Sequence, residues 1–297
     1  MDLEIFFQPG DVVYGRYEVV RPLGAGAFGQ VFHVVDVRDR DRHYTLKVVE
    51  LDGADSNSSS ARQEVAALRL LGDEADNFNC IRLVDEFNYQ NNACIVLPLM
   101  GVDLNQLLQT SDRRKMPMSL LKPLVQKLCT AVAHLHSQGI AHTDLKLNNI
   151  VLSSRCVETL EQLTVDNCGV RVIDFGCSTF DDHQTDVTVS TRPFRAPENL
   201  AHKNCCRKSD VWSLALIIFS LYSGEDLFSF DSGIDEVKRE WLDTVHLASI
   251  EELLRERIPE VTRESRVKLQ QDFRNKIPKD FYVSMRFVLL VSHIILT

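Results

Sequence analysis

An aspartate, a lysine and an asparagine stand close together in Ile140-Ala141-His142-Thr143-Asp144-Leu145-Lys146-Leu147-Asn148-Asn149. Asp144 could orient a hydroxyl and accept its proton, Lys146 could steady an anionic group in transit, and the Asn149 amide oxygen is a hard ligand suited to Mg²⁺. Downstream, Ile173-Asp174-Phe175-Gly176 offers a second oxygen ligand in Asp174, and Ala196-Pro197-Glu198 closes the segment that follows. Upstream, Leu23-Gly24-Ala25-Gly26-Ala27-Phe28-Gly29-Gln30-Val31 spaces its glycines as G-x-G-x-x-G, which lets backbone N–H groups approach phosphates. Lys47, in Tyr44-Thr45-Leu46-Lys47, could hold α- and β-phosphates, with Glu64 as its ion-pair partner. The chemistry these groups share is phosphoryl transfer from ATP with two Mg²⁺ ions, which asks a protein mainly for positioning and charge neutralisation.

Each signal has a plainer reading. The glycines also fit a dinucleotide-binding fold or a ligand-free hairpin, but a dinucleotide fold needs a helix next, and 30–37 alternates as a strand. A surface Lys–Glu pair contributes little, and Asp-Phe-Gly is common by chance. Four such motifs in this order are not.

The elements that must position these groups follow from periodicity. Residues 17–51 predict three strands, 52–60 a serine-rich loop, and 61–71 a helix stopped by Gly72. Residues 81–84 and 93–97 predict two more strands. From Ser119, the expected N-cap, Leu120, Leu124, Leu128, Val132 and Leu135 make one helical stripe, and 210–222 predicts a buried helix. The fold class is α+β and bilobal: an extension over 1–16, a β-rich lobe over 17–97, and a larger helical lobe over 98–297, incomplete or divergent after about 225. The 297 residues suffice for two packed lobes. A net charge of −9 argues against nucleic acid and favours basic partners. The eight cysteines form no C-x-x-C pair, pointing to reduced thiols inside a cell rather than zinc or disulfides. The start does not read as a signal peptide, and the apolar run at 287–296 is too short to span a bilayer.

These motifs resemble those of the eukaryotic protein kinases. Further segments are similar to the CMGC group and within it to the LAMMER (CLK-type) dual-specificity kinases. The segments are Gly10-Asp11-Val12, Arg16-Tyr17-Glu18, Gly26-Ala27-Phe28-Gly29, Arg42-His43, His142-Thr143-Asp144-Leu145-Lys146, Asp181-Asp182, Val189-Ser190-Thr191-Arg192 and Asp210-Val211-Trp212-Ser213. The resemblance implies protein substrates rich in arginine or Ser/Arg repeats, a monomer, and a nuclear location. It implies catalytic roles for Asp144, Lys146, Asn149, Lys47, Glu64 and Thr191, with Thr191 bonded to Asp144 and Lys146, and metal ligation by Asn149 and Asp174. Leu97 would be the gatekeeper, Pro98 and Met100 the adenine contacts, Val31 and Val151 the walls about the purine, and Asp103 the ribose ligand. Leu23, Gly24, Gly26, Phe28 and Gly29 would cover the phosphates. Asp210 would anchor the catalytic loop.

The sequence also departs from the pattern. Thr143 replaces the arginine that grips a phosphorylated activation loop, so activity is expected without that modification. No Asp-x-x-Arg element after Asp280 supplies the arginine expected to pair with Glu198. A catalytically weak pseudokinase or scaffold is the alternative that this absence raises. His33, His134 and His136 read as ordinary strand and helix residues, and Cys177 as a packed thiol.

Overall fold

The computed structural model describes residues 6–26, 29–51, 56–112, 114–180, 191–200 and 207–228, with Asp243, Leu247 and Ile250. Phe28, Asp181, Asp182 and the end of the chain, on which the truncated-lobe expectation rests, lie outside the described residues.

Alternating apolar residues build a six-stranded antiparallel sheet from β1 (Val12–Val13), β2 (Tyr17–Gly26), β3 (Gly29–Asp36), β4 (Asp39–Glu50), β5 (Asp85–Tyr89) and β6 (Asn92–Pro98). The strand order is β1-β2-β3-β4-β6-β5. The three strands expected over 17–51 are present as β2, β3 and β4. The strand expected at 81–84 is not: the ladder starts at Asp85. Gln90 and Asn91 have φ of 48° and 63°, the left-handed pair of a tight hairpin, so the strand must run directly into that turn. Residues 81–84 instead make single bonds, Ile81 N–H to the Val172 carbonyl (3.0 Å) and Val84 N–H to that of Val96 (2.9 Å).

The segment before Tyr17 joins this lobe. Phe7 is buried edge-on to Phe32 at 5.8 Å, and the Phe6 N–H donates to Gln30 Oε1 at 3.0 Å. Helix α1 (Ser56–Leu71) begins earlier than the serine-rich stretch suggested, and buries Ala67, Leu68 and Leu71. A serine-rich run reads as loop because serine competes for backbone bonds; here the helix continues through it.

The second lobe is helical. After α2 (Leu104–Gln109), helix α3 (Met118–Ser137) buries the stripe Leu120, Leu124, Leu128, Val132 and Leu135. Ser119 lies inside it; the cap position is Pro117, with no side-chain bond. Short ladders follow: β7 (Ile140–Ala141) with β10 (Thr179–Phe180), and β8 (Ile150–Leu152) with β9 (Val170–Val172). A short helix α4 (Pro197–Leu200) precedes α5 (Arg207–Ser223), whose residues from Ser213 to Ile217 are all buried, as its unbroken apolar run implies. Residues of the six-stranded sheet and of the helical lobe line one cavity between them.

Candidate active site

One wall of the cleft is set by a lysine between two carboxylates. Alternation along β4 turns Lys47 inward, and α1 presents Glu64 opposite. Lys47 Nζ donates to Glu64 Oε2 at 2.6 Å and to Asp174 Oδ1 at 2.8 Å. Lys47 is 8% exposed and Glu64 1%, so this is not the solvated surface pair of the plainer reading. Burial alone would depress the Lys47 ammonium, but the two carboxylates raise it above the ordinary lysine value. Burial would likewise raise Asp174, yet Lys47 holds it below the usual carboxylate range. Burial pushes Glu64 upward against the pull of Lys47.

The Asp-Phe-Gly segment is fastened to the same helix. Phe175 is fully buried, 5.2 Å from the His142 ring, and its N–H bonds Glu64. One turn before Glu64, the Ser60 hydroxyl donates to the Gly176 carbonyl at 2.9 Å. A Cβ at Gly176 would lie 2.5 Å from Ser60 Oγ, so any larger residue would have to turn that hydroxyl away from the carbonyl it bonds. Asp174 itself has φ of 66°.

The other wall is the loop over residues 142–149. Asp210, with no exposure, accepts the backbone N–H groups of His142 (2.8 Å) and Thr143 (2.7 Å) and the His136 ring Nε2–H (2.9 Å). This anchor holds Thr143 at φ 64°, a strained value for a β-branched residue. Thr143 Oγ1 donates to the Cys177 carbonyl at 2.6 Å. Asp144 is oriented by three groups: Lys146 Nζ at 2.7 Å on Oδ2, and the Thr191 N–H at 2.9 Å and hydroxyl at 3.0 Å on Oδ1. Lys146 also donates to Thr191 Oγ1 at 3.1 Å. The Thr191 contacts anticipated from the resemblance are therefore present.

Asn149 Nδ2 donates to the Asp144 carbonyl at 2.9 Å, which leaves the amide oxygen available as a ligand. Asn149 and Asp174 both line a cavity of about 750 Å³ between the lobes. Hard oxygen donors with few carboxylates suit Mg²⁺, which takes its remaining ligands from water and phosphate. Among the described residues no group of three or more His, Cys, Asp or Glu converges as a metal cage.

Leu23, Gly24, Gly26, Gly29, Val31, Lys47, Leu97, Pro98, Met100, Asp103 and Val151 line the same cavity. Gly29, at φ 112°, brings the flap so close to β4 that a Cβ would sit 2.1 Å from the Val48 carbonyl oxygen. Asp103 also caps α2, accepting the Gln106 N–H at 2.8 Å, and burial raises its carboxyl.

Other contacts carried no local signal. His136, an ordinary helix residue by its sequence, bonds the loop anchor Asp210 across the fold. His33 lines the cavity with Nε2 2.8 Å from His43 Nδ1, while His134 stacks on Phe78 at 4.0 Å. Glu198, expected to need an arginine, is half-buried, with Ser209 Oγ donating to it at 2.8 Å.

The chain matches the protein kinase domain family over residues 17–285. It is similar to the serine/threonine-protein kinase Doa of Drosophila melanogaster, 31% identical over 236 residues, which is 76% of this chain and 28% of that protein. It is similar also to the human dual specificity protein kinase CLK1, 32% identical over 230 residues (74% of this chain, 47% of that one). A third relative is the dual specificity protein kinase lkh1 of Schizosaccharomyces pombe, 33% identical over 253 residues (83% and 35%). The chain thus spans less than half the length of these curated relatives. Among solved structures, the kinase domain of PF14_0431 matches with a TM-score of 0.72 at 22% identity, covering 94% of this chain and 85% of that one, a likeness of fold. With the family domain matched over most of its length, the chain belongs to the protein kinase family, beside the CLK, Doa and lkh1 kinases of the CMGC group.

Proposed function

We propose that this chain transfers the γ-phosphoryl group of ATP to serine and threonine hydroxyls, and to tyrosine, of basic or Ser/Arg-rich proteins. The observation that carries the reading is the pairing of two organised walls on one cleft. Lys47 is held between Glu64 and Asp174 on one side, and Asp144 is held by Lys146 and Thr191 on the other.

In this mechanism Asp144 receives the proton of the substrate hydroxyl as that oxygen attacks the γ-phosphorus in line. The bond from the γ-phosphorus to its bridging oxygen breaks, and ADP departs with the electron pair. Lys146 accompanies the moving phosphoryl, and Lys47 faces the α- and β-phosphates. Asn149 and Asp174 would hold Mg²⁺, which supplies charge neutralisation along the triphosphate when bound. Leu97, Pro98 and Met100 would border the adenine, and Val31 and Val151 its two faces. Tyrosine as an acceptor is carried over from relatives named dual specificity kinases. The net charge of −9 suits arginine-rich substrates. A monomer in the nucleus belongs to the same proposal; among the described residues no helix is long and apolar enough to cross a membrane. The scaffold alternative rests on the end of the chain, and no observation favours it.

The test is a radiolabelled-ATP assay on a serine/arginine peptide, comparing the native chain with Asp144→Asn. Label well above that variant's background supports the reading. Equal label from two folded proteins sinks it.

A further inference from the structure

Two buried side-chain hydroxyls, one from each lobe, hold consecutive carbonyls of the segment that follows Asp174. Ser60 on α1 donates to the Gly176 carbonyl at 2.9 Å, and Thr143, just before Asp144, donates to that of Cys177 at 2.6 Å. Ser60 lies one helical turn before Glu64, so the two side chains share a face of α1. Glu64 accepts the Phe175 N–H and the Lys47 ammonium, and Lys47 bonds Asp174 in turn. Helix α1 thus grips two successive residues, Phe175 by its N–H and Gly176 by its carbonyl. Asp174, directly before them, has φ of 66°, a left-handed backbone that a non-glycine residue keeps only where its surroundings impose it. Removing the Ser60 hydroxyl would leave a buried carbonyl unpaired and loosen one of those constraints.

We propose that Ser60 is a positioning residue: with Thr143 it latches residues 175–177 between the lobes and so keeps the Asp174 carboxylate turned to the cleft, where it would hold Mg²⁺. The consequence for turnover rests on the kinase reading above; the latch itself does not. A merely structural hydroxyl would alter overall stability without changing how much Mg²⁺ the reaction needs.

The experiment has one arm without ligands and one with turnover. In the nucleotide-free chain, hydrogen exchange is read by mass spectrometry on the peptide covering residues 174–178. Ser60→Ala should quicken it about tenfold, the effect of one buried hydrogen bond lost, while α3 and β8 exchange as in the native chain. Alanine is the better helix former, so α1 should still fold. In peptide phosphorylation at saturating ATP, the Mg²⁺ concentration for half-maximal rate should rise about threefold or more, because only the latched fraction binds. KM for the peptide should stay within about twofold. Gly176→Ala attacks the same contact from the other side: its Cβ would lie 2.5 Å from Ser60 Oγ but 3.5 Å or more from its other near neighbours. It should reproduce Ser60→Ala, and the two substitutions together should do no more than either alone. Unchanged exchange in Ser60→Ala overturns the proposal, as does exchange that quickens equally in α3 and β8. An unmoved Mg²⁺ requirement, or a double variant much worse than each single one, overturns it too. A native chain that phosphorylates nothing fails the kinase reading itself, and the exchange arm still decides the latch.

Discussion

Asp210→Asn is the perturbation whose size the structure defines most directly. The native carboxylate, with no exposure, accepts from two backbone N–H groups on different oxygens and from one ring N–H. Hydrogen bonds to a charged acceptor are worth roughly 1.5–3 kcal/mol each, so removing all three would cost about 4–9 kcal/mol if they were additive. That upper bound rivals the whole stability of a domain, about 5–15 kcal/mol, and Asp210→Ala should barely fold. Asparagine keeps one acceptor oxygen but turns an N–H₂ toward a backbone donor. With the amide oxygen at the Oδ2 position, the Thr143 N–H is the one left facing a donor. The expected loss is about 2–4 kcal/mol, one bond plus the desolvation of an unsatisfied N–H. Thr143 would then lose the bond that holds its left-handed backbone, one residue before Asp144. Turnover should fall about tenfold or more through misplacement of the base. Urea denaturation followed by fluorescence reads the stability, and peptide phosphorylation reads the turnover. An Asp210→Asn protein within about 0.5 kcal/mol of native, with the same denaturant slope, would refute this account of the loop.

Thr191→Val keeps the shape but removes a hydroxyl shared by Asp144 and Lys146; kcat should fall about tenfold with KM for ATP little changed, and a rise in that KM alone would contradict the assigned geometry. Because Thr143 stands in place of a guanidinium and already bonds the Cys177 carbonyl, complete phosphatase treatment should leave turnover unchanged; a collapse would show that loop phosphorylation is required. Burial, with Asp144 and Asp174 adding to it, pushes the Cys177 thiol up to about 12. Only on the order of one molecule in ten thousand carries the thiolate at pH 8, rising with pH, so iodoacetamide should label exposed Cys156 far faster; equal rates by mass spectrometry would reject the burial argument.

What could be read beforehand was the chemistry carried by adjacent residues. Asp144, Lys146 and Asn149 sit within one short segment, and the glycines of the flap precede an alternating run, so their meaning survives without a fold. Lys47 was legible because strand alternation fixes which way it points. Contacts between distant segments were not legible. Nothing local marks Ser60 as the partner of Gly176 or His136 as a second hand on Asp210. The shifted β5 shows a related limit: apolar content suggested 81–84, but the register is set by the backbone of Gln90 and Asn91. Glu198 shows the same limit: among the described residues its partner is a serine on α5, which no local pattern marks.

The contact between Phe6 and Gln30 has a practical consequence. Gln30 follows Gly29 directly, and Phe7 is wedged against Phe32 on the same strand. Replacing Phe7 with alanine would therefore loosen the strand that carries the glycine flap, at a distance from the cleft, and would enter any measured affinity for ATP.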